Sequence, residues 1–172
     1  AALIYQGVVH LLPQSDERRL VVDIGGRSTE MIIGQGYTAT TMESYRVGSV
    51  AWAMRHFPDG LLTAKHFDNA EVAAKAVFDE ALSTHRRSEW DAAYGSSGTV
   101  GAVANTLFLA GQAPAEGVIT QAGLDWLRDK LIKTRRADAI RLDGIKEERR
   151  PIIGGGLAVL RAIFDLLGID SM

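Results

Sequence analysis

Apolar positions recur along this chain in two different periods, and the switches between them mark out its elements. Leu3, Ile4, Val8 and Leu11 are spaced for one face of a helix, and Pro13-Gln14-Ser15-Asp16 ends that pattern with turn chemistry. Strands are predicted at about 19–24, 29–34 and 38–46, the last from its run of β-branched threonines. Gly34-Gln35-Gly36 supplies the turn before the third strand, and links this short impose an antiparallel meander. Gly48-Ser49 then opens a short helix, Val50 to Phe57, which Pro58-Asp59-Gly60 ends.

A longer helix is predicted from an N-cap at Thr63 to about Thr84. Phe67, Ala70, Ala74, Val77 and Ala81 form its buried stripe, while Lys65, Glu71, Lys75 and Asp79 face water. His85-Arg86-Arg87 reads as a solvated helix end, where positive charge suits the dipole. Next come a short strand, Ala92-Ala93-Tyr94, a loop from Gly95 to Thr99, and a helix from Val100 to about Ala110. After the loop at Gly111 and Pro114 to Gly117, Thr120 caps a helix with Leu124, Leu127 and Leu131 on one face. Lys133 to Arg150 mixes both signs and is expected to wind over the surface. A final helix, about Gly156 to Leu167, is entered through Gly154-Gly155. The order predicts an α/β domain with a mixed sheet, an antiparallel three-strand meander and flanking helices.

Composition narrows the function classes. At 172 residues, 47% hydrophobic and 23% charged, the chain suits one globular domain. A formal net charge of −2 gives no global field to attract nucleic acid or an anionic membrane, so any polyanion must be caught by a local site. The absence of cysteine excludes disulfides, zinc thiolates and thiol nucleophiles. His10, His56, His66 and His85 are scattered without ligand spacing. No apolar run approaches the roughly 18 residues of a membrane span, and the opening lacks the basic flank of a signal peptide, so the expected compartment is the cytoplasm. The chain also starts uncapped in helical material, which predicts a domain excised from something longer.

Two loops carry candidate chemistry. In LVVDIGGRSTEMIIGQG, from Leu20 to Gly36, a strand delivers Asp23 to a turn of Gly25, Gly26, Arg27, Ser28 and Thr29, and Glu30 opens the next strand. Glycines free to take positive φ let backbone N–H groups approach an anion, Arg27 adds charge, and the hydroxyls can donate to phosphate oxygens. Asp23 and Glu30 flank the turn as needed to hold Mg²⁺ and to orient or deprotonate a water. An ordinary hairpin with a Gly-Gly turn is the alternative. In the second loop, Gly95, Ser96, Ser97, Gly98 and Thr99 join a strand to a helix start, which aims orphan N–H groups and the positive dipole end at an anion. Without the lysine of a Walker A loop it is no P-loop, and a plain glycine-rich turn with a hydroxyl cap remains the other reading.

VVDIGGRSTE, SYRVGSV, YGSSGTVGAV and the ERR…GGGLAVLRAIFDLLGI ending, in this order, resemble the exopolyphosphatase / guanosine pentaphosphate phosphatase (Ppx/GppA) family over essentially the whole chain. The resemblance implies the actin-like, sugar-kinase and heat-shock-protein superfamily, with two ribonuclease H-like domains and an active site between them. Residues 1–172 then form a single ribonuclease H-like domain, the second of the two. Carried over by position, Asp23 holds Mg²⁺, Gly25, Gly26 and Ser28 cradle phosphate, and Glu30 positions or activates water. Gly95, Ser97, Gly98 and Thr99 match the family's second glycine-rich loop in this half, and Gly154 to Gly156 match the last loop before the closing helix. Arg27 departs from the small residue usual there, and the family's first phosphate loop and a catalytic glutamate would precede Ala1.

The expected activity is therefore Mg²⁺-dependent hydrolysis of phosphoanhydride bonds, at the terminal phosphate of polyphosphate or of guanosine pentaphosphate, with this chain supplying half the site. The implied partners are that substrate and the preceding domain, in a parent that could be a homodimer. The rivals are an actin-like ATP-dependent kinase and a module that binds nucleotide or polyphosphate without chemistry. Glu30 directly after Ser28-Thr29 suits water activation better than transfer to a bulky acceptor.

Overall fold

Four strands form one sheet in the order β3-β2-β1-β4, in a computed structural model that describes residues 1–172. β1 (Arg18–Ile24), β2 (Thr29–Gln35) and β3 (Thr38–Tyr45) are the antiparallel meander, and β4 (Ala92–Ser96) joins β1 in parallel. The sheet is mixed, as the order of elements predicts. Its two faces follow from strand alternation. Leu20, Val22, Ile24, Met31 and Ile33 point into the main core, whereas Val21 and Ile32 point the other way, under Tyr5 and Val9 of α1 (Ala2–Val9). Tyr5 reaches over Gly34, where any Cβ would strike its ring, and donates to the Gly36 carbonyl at 3.0 Å. The missing side chain at Gly34 is thus what lets α1 dock.

On the main face lie α2 (Ser49–His56), α3 (Ala64–Phe78), α5 (Gly98–Leu109), α6 (Gln121–Thr134) and α7 (Arg150–Leu167). The long helix expected from Thr63 is two: α3 stops at Phe78, and a short α4 (Ala81–Thr84) follows, in which i→i+3 bonds from Leu82 and Ser83 tighten the chain. Thr63 does cap α3, its Oγ1 accepting the His66 N–H at 3.1 Å. Phe78, not Val77, enters the core at the end of that stripe.

Two residues expected in water are buried instead. Glu71 is 7% exposed and accepts from Arg161 Nε at 2.9 Å, and Arg161 also reaches Asp125 at 2.6 Å. The guanidinium enters the core only because two carboxylates meet it there. His85 is fully buried, not a solvated helix end: its Nε2 donates to the Met31 carbonyl at 2.9 Å, and its Nδ1 lies 2.8 Å from the Thr84 hydroxyl. A carbonyl can only accept, so the proton sits on Nε2 and Nδ1 takes the hydroxyl hydrogen.

The third correction concerns α7. It begins at Arg150, so Gly154, Gly155 and Gly156 lie inside the helix and form no loop. All three are buried, and the helix passes between α2 and α5 at their positions. A Cβ on Gly155 would collide with the Ala53 nitrogen and Ser49 carbonyl of α2, and one on Gly156 would strike Thr99 of α5. Glycine costs helix stability, about 1 kcal/mol per residue against alanine. Here it lets the α7 backbone meet the α2 backbone at Gly155 and the Thr99 side chain of α5 at Gly156.

Candidate functional site

The two loops singled out in the sequence meet at one edge of the sheet. Asp23 pairs across to Glu30 in the antiparallel β1–β2 ladder and is in register with Ser96 in the parallel β1–β4 ladder. The turn after β1 and the loop after β4 therefore leave the carboxyl ends of neighbouring strands side by side. That is where α/β sheets collect ligands.

The turn's orientation is set by α2. The Gly25 carbonyl accepts the Ser49 N–H at 2.9 Å, and the Gly26 carbonyl accepts Val50 and Ala51 at 2.9 and 3.0 Å. In a trans peptide the N–H points opposite to the C=O. The N–H groups of Gly26 and Arg27 are thereby turned away from α2. Neither they nor the Ser28 N–H has an acceptor in the protein, whereas the Gly25 N–H is used in the turn, donating to Ser28 at 2.9 Å. Three successive backbone donors without partners form a concavity suited to an anion. Positive φ plays no part, since neither Gly25 nor Gly26 adopts it. Their role is clearance: a Cβ on Gly26 would press on Val50 at 3.3 Å, and one on Gly25 would crowd the Ser28 carbonyl at 3.1 Å.

Side chains of the turn divide into two groups. Arg27 is exposed, and Ser28 is half-buried with its hydroxyl donating to Glu30 at 3.1 Å. Thr29 is fully buried and its hydroxyl donates to the Val47 carbonyl at 2.6 Å, so it serves the hairpin and not an anion. Glu30 is held from a second side by Ser44 of β3, whose hydroxyl donates to the same carboxylate oxygen at 3.0 Å. Asp23 accepts no hydrogen bond from the protein, and burial with the neighbouring Glu30 carboxylate pushes its carboxyl above the usual range. Like charges opposite each other on adjacent strands cost stability unless a cation lies between them. This pair fits Mg²⁺, an oxygen-seeking ion that keeps waters and takes one or two carboxylates. No group of three or more His, Asp or Glu side chains gathers anywhere in the chain, so water and phosphate oxygens would complete the shell.

The second loop begins at Gly95, where a Cβ would meet Val100 and Met172. Ser97 stands at φ 111°, a conformation that costs a side-chain-bearing residue about 1–3 kcal/mol, and its Oγ accepts the Val100 N–H at 3.4 Å as the cap of α5. The helix starts at Gly98, two residues earlier than expected. Gly98 is exposed, and its N–H and that of Thr99 are among the first four of α5, which no carbonyl of the helix can accept. The Thr99 side chain is buried against Gly156.

Two neighbours of these loops have no motif of their own in the sequence. The guanidinium of Arg149 lies directly over Gly98, filling the space a Cβ would take. Placed in the surface stretch by its mixed charges, it stands instead beside the N-terminus of α5. Ser44 reads in the sequence only as part of a strand, yet it fixes Glu30. Both lie in segments that carry the family resemblance, ERR and SYRVGSV, and that was their one visible signal.

Fold and site together define an α/β domain of the actin-like, ribonuclease H-like type, with two donor-bearing loops at one sheet edge. The Ppx/GppA family member of Aquifex aeolicus superposes with a TM-score of 0.80 at 20% identity, over 99% of this chain and 56% of that one. An exopolyphosphatase from Cytophaga hutchinsonii gives 0.77 at 20%, over 99% and 57%. At such identities these structures establish the fold. The model of the Ppx/GppA phosphatase family matches residues 1–172, and the chain belongs to that family. Among curated relatives, the guanosine-5'-triphosphate,3'-diphosphate pyrophosphatase of Vibrio atlanticus is 44% identical over 172 residues, and that of Photobacterium profundum 38%. The chain spans all its own length but 34% of theirs.

Proposed function

We propose that this chain is the second ribonuclease H-like domain of a two-domain phosphatase and supplies half of its active site. The reaction is Mg²⁺-dependent hydrolysis of a phosphoanhydride bond, with guanosine pentaphosphate as substrate on the strength of the curated relatives' names and inorganic polyphosphate as a second substrate of the same chemistry. The observation that carries this reading is the set of three partnerless N–H groups at Gly26, Arg27 and Ser28, with Asp23 and Glu30 side by side beside them.

Phosphoryl transfer asks for positioning and charge stabilisation more than for covalent chemistry. The turn's N–H groups and those of Gly98 and Thr99 receive phosphoryl oxygens, and Arg27 and Arg149 face the charge that grows on them. Glu30, immobilised by two serine hydroxyls, orients a water and takes its proton. Mg²⁺, held by Asp23 with Glu30, would neutralise charge on the bridging phosphates. Water is the acceptor because Glu30, directly after Ser28-Thr29, suits activation of water better than transfer to a bulky second substrate. A kinase would instead require such an acceptor.

Phosphate release from guanosine pentaphosphate, polyphosphate and ATP by the full-length protein, wild type and Glu30→Gln, tests the proposal. Release from either of the first two, lost in the variant, is the expected result. ATP consumption only with an added acceptor would make it a kinase, and nucleotide binding without release would make it a binding module.

A further inference from the structure

A cavity of about 410 Å³ opens at the end of the sheet opposite the two loops, between the chain from Val9 to Arg19 and the turn at Gly36-Tyr37. Its volume is in the range of small-molecule sites, about 300–1,000 Å³. Arg19 stands on its wall four residues before Asp23, about 13 Å away along β1 at 3.3 Å per residue. From the geometry we infer that this cavity binds an α-amino acid with an apolar side chain. The inference is independent of the phosphatase reading and goes beyond it.

A guanidinium held ready for a carboxylate is the first support. Arg19 is 3% exposed, with Nε donating to Glu17 at 3.0 Å and Nη2 to the Pro13 carbonyl at 2.6 Å. The same Glu17 oxygen accepts the Tyr94 hydroxyl at 2.7 Å, and the guanidinium carbon lies 5.7 Å from the centre of the Tyr94 ring. Nη1 is left over. It makes no hydrogen bond within the protein, and its residue lines the cavity. A planar fork fixed in this way loses little freedom on binding, and its spare N–H groups suit a carboxylate oxygen.

Charge decides which kind of carboxylate. Glu17 already balances Arg19, and Asp16, also on the cavity wall, has no ion pair or hydrogen bond at its carboxylate. The three side chains together are therefore net negative, and a simple anion gains little from them. A zwitterion avoids the conflict: its carboxylate goes to Nη1 and its ammonium to Asp16.

The remaining walls suit an apolar side chain. Val9 is 1% exposed, and the Tyr37 ring lies against His10 with centroids 4.9 Å apart. Two bonds tie the opposite sides together around the space. Gln14 Nε2 donates to the Tyr37 hydroxyl at 3.2 Å, and Gln35 Nε2 to the Asp16 carbonyl at 2.6 Å. Both leave the Asp16 carboxylate free.

Calorimetric titration of the full-length protein with L-leucine, leucine methyl ester and 4-methylpentanoate tests the inference, because the ester lacks the carboxylate and the acid lacks the ammonium. L-Leucine should bind at least about tenfold tighter than either. Asp16→Asn alters an exposed side chain and keeps the backbone tie to Gln35, so the fold should stand. It should bring L-leucine down to the level of 4-methylpentanoate without weakening 4-methylpentanoate. Arg19→Lys, which keeps the buried charge but removes Nη1, should weaken L-leucine and leave the ester unchanged. No binding of L-leucine by the wild type would overturn the assignment. So would equal binding of L-leucine and its ester, or an Asp16→Asn variant with undiminished affinity for L-leucine. Phosphate release is read separately, and neither result decides the other.

Discussion

The backbone N–H of Val50 donates to the carbonyl of Gly26 at 2.9 Å, and this bond ties the first turn of α2 to the turn from Gly25 to Thr29. A helix start, which needs acceptors for its orphan donors, takes them from the loop it supports. The loop in exchange is held with its own donors outward. The position of α2 thus decides whether the N–H groups of Gly26 and Arg27 face outward together.

Moving α2 should therefore cost both stability and binding. Gly155→Ala places a methyl against the Ala53 nitrogen and the Ser49 carbonyl, where neither backbone can yield. The expected loss is about 1–3 kcal/mol, read from the denaturant midpoint, with a weaker response of the Gly26–Ser28 amides to phosphate. Gly98→Ala is the control: its methyl meets only the end of the Arg149 side chain, which can swing away. Its stability should stay within about 0.5 kcal/mol of wild type, while phosphate affinity falls.

Glu30→Gln in the full-length protein should lower turnover by about 10²-fold or more, the scale of a positioned acid–base group. Ser44→Ala keeps the carboxylate but removes one of its two hydroxyl donors, and should reduce kcat less, with KM nearly unchanged. A Ser44→Ala effect confined to KM would show that the serine meets substrate and does not position Glu30.

Asp23 gives a prediction with a sign. Its carboxyl is raised by burial and by Glu30, so the fold favours the neutral form. That favourable contribution is full below the ordinary carboxylate range and is lost as pH rises through the elevated value. At neutral pH the charge burdens the fold, and Asp23→Asn should stabilise it, by no more than about 1 kcal/mol because solvent screens a partly exposed pair. The same variant should need more Mg²⁺ for phosphate release. Destabilisation at pH 7 with an unchanged Mg²⁺ requirement would remove both roles from the residue.

His85 has the opposite dependence on pH. Burial, opposed by its bond to Met31, lowers its pKa. Stability is complete above about pH 6.5, the ordinary histidine value, and falls as pH drops below it towards the depressed value, since the unfolded chain takes up the proton first. His85→Gln should flatten the midpoint-versus-pH curve below about pH 6.5.

Ser97→Gly relaxes the residue at φ 111° but gives up a long cap bond of 3.4 Å. Relief of about 1 kcal/mol or more against a cap loss of a few tenths predicts a net gain in thermal stability.

Local rules made the strands, the meander and the caps at Thr63 and Thr120 legible, because threonine stretches, glycine turns and cap hydroxyls act within a few residues. Glu71 and His85 were misplaced because their partners, Arg161 and Met31, are 90 and 54 residues away and leave no periodic trace. Gly154 to Gly156 read as a helix entry because glycine ordinarily ends helices; the contacts that reward it there belong to α2 and α5. At the site, the acid pair and the donor-bearing loops were visible as motifs. The inward turn of Thr29, Ser44's hold on Glu30 and Arg149's position over Gly98 come from cross-strand register and helix placement, which no single segment encodes.

The three glycines in α7 also set a dimension. Ser49 and Thr99 rest on them from either side, so the spacing between the two loops is fixed by the α2 main chain against Gly155 and by the short Thr99 side chain against Gly156. Core residues elsewhere can then drift in volume without changing the gauge between the two loops. An insertion of even one methyl at this crossing would reset it.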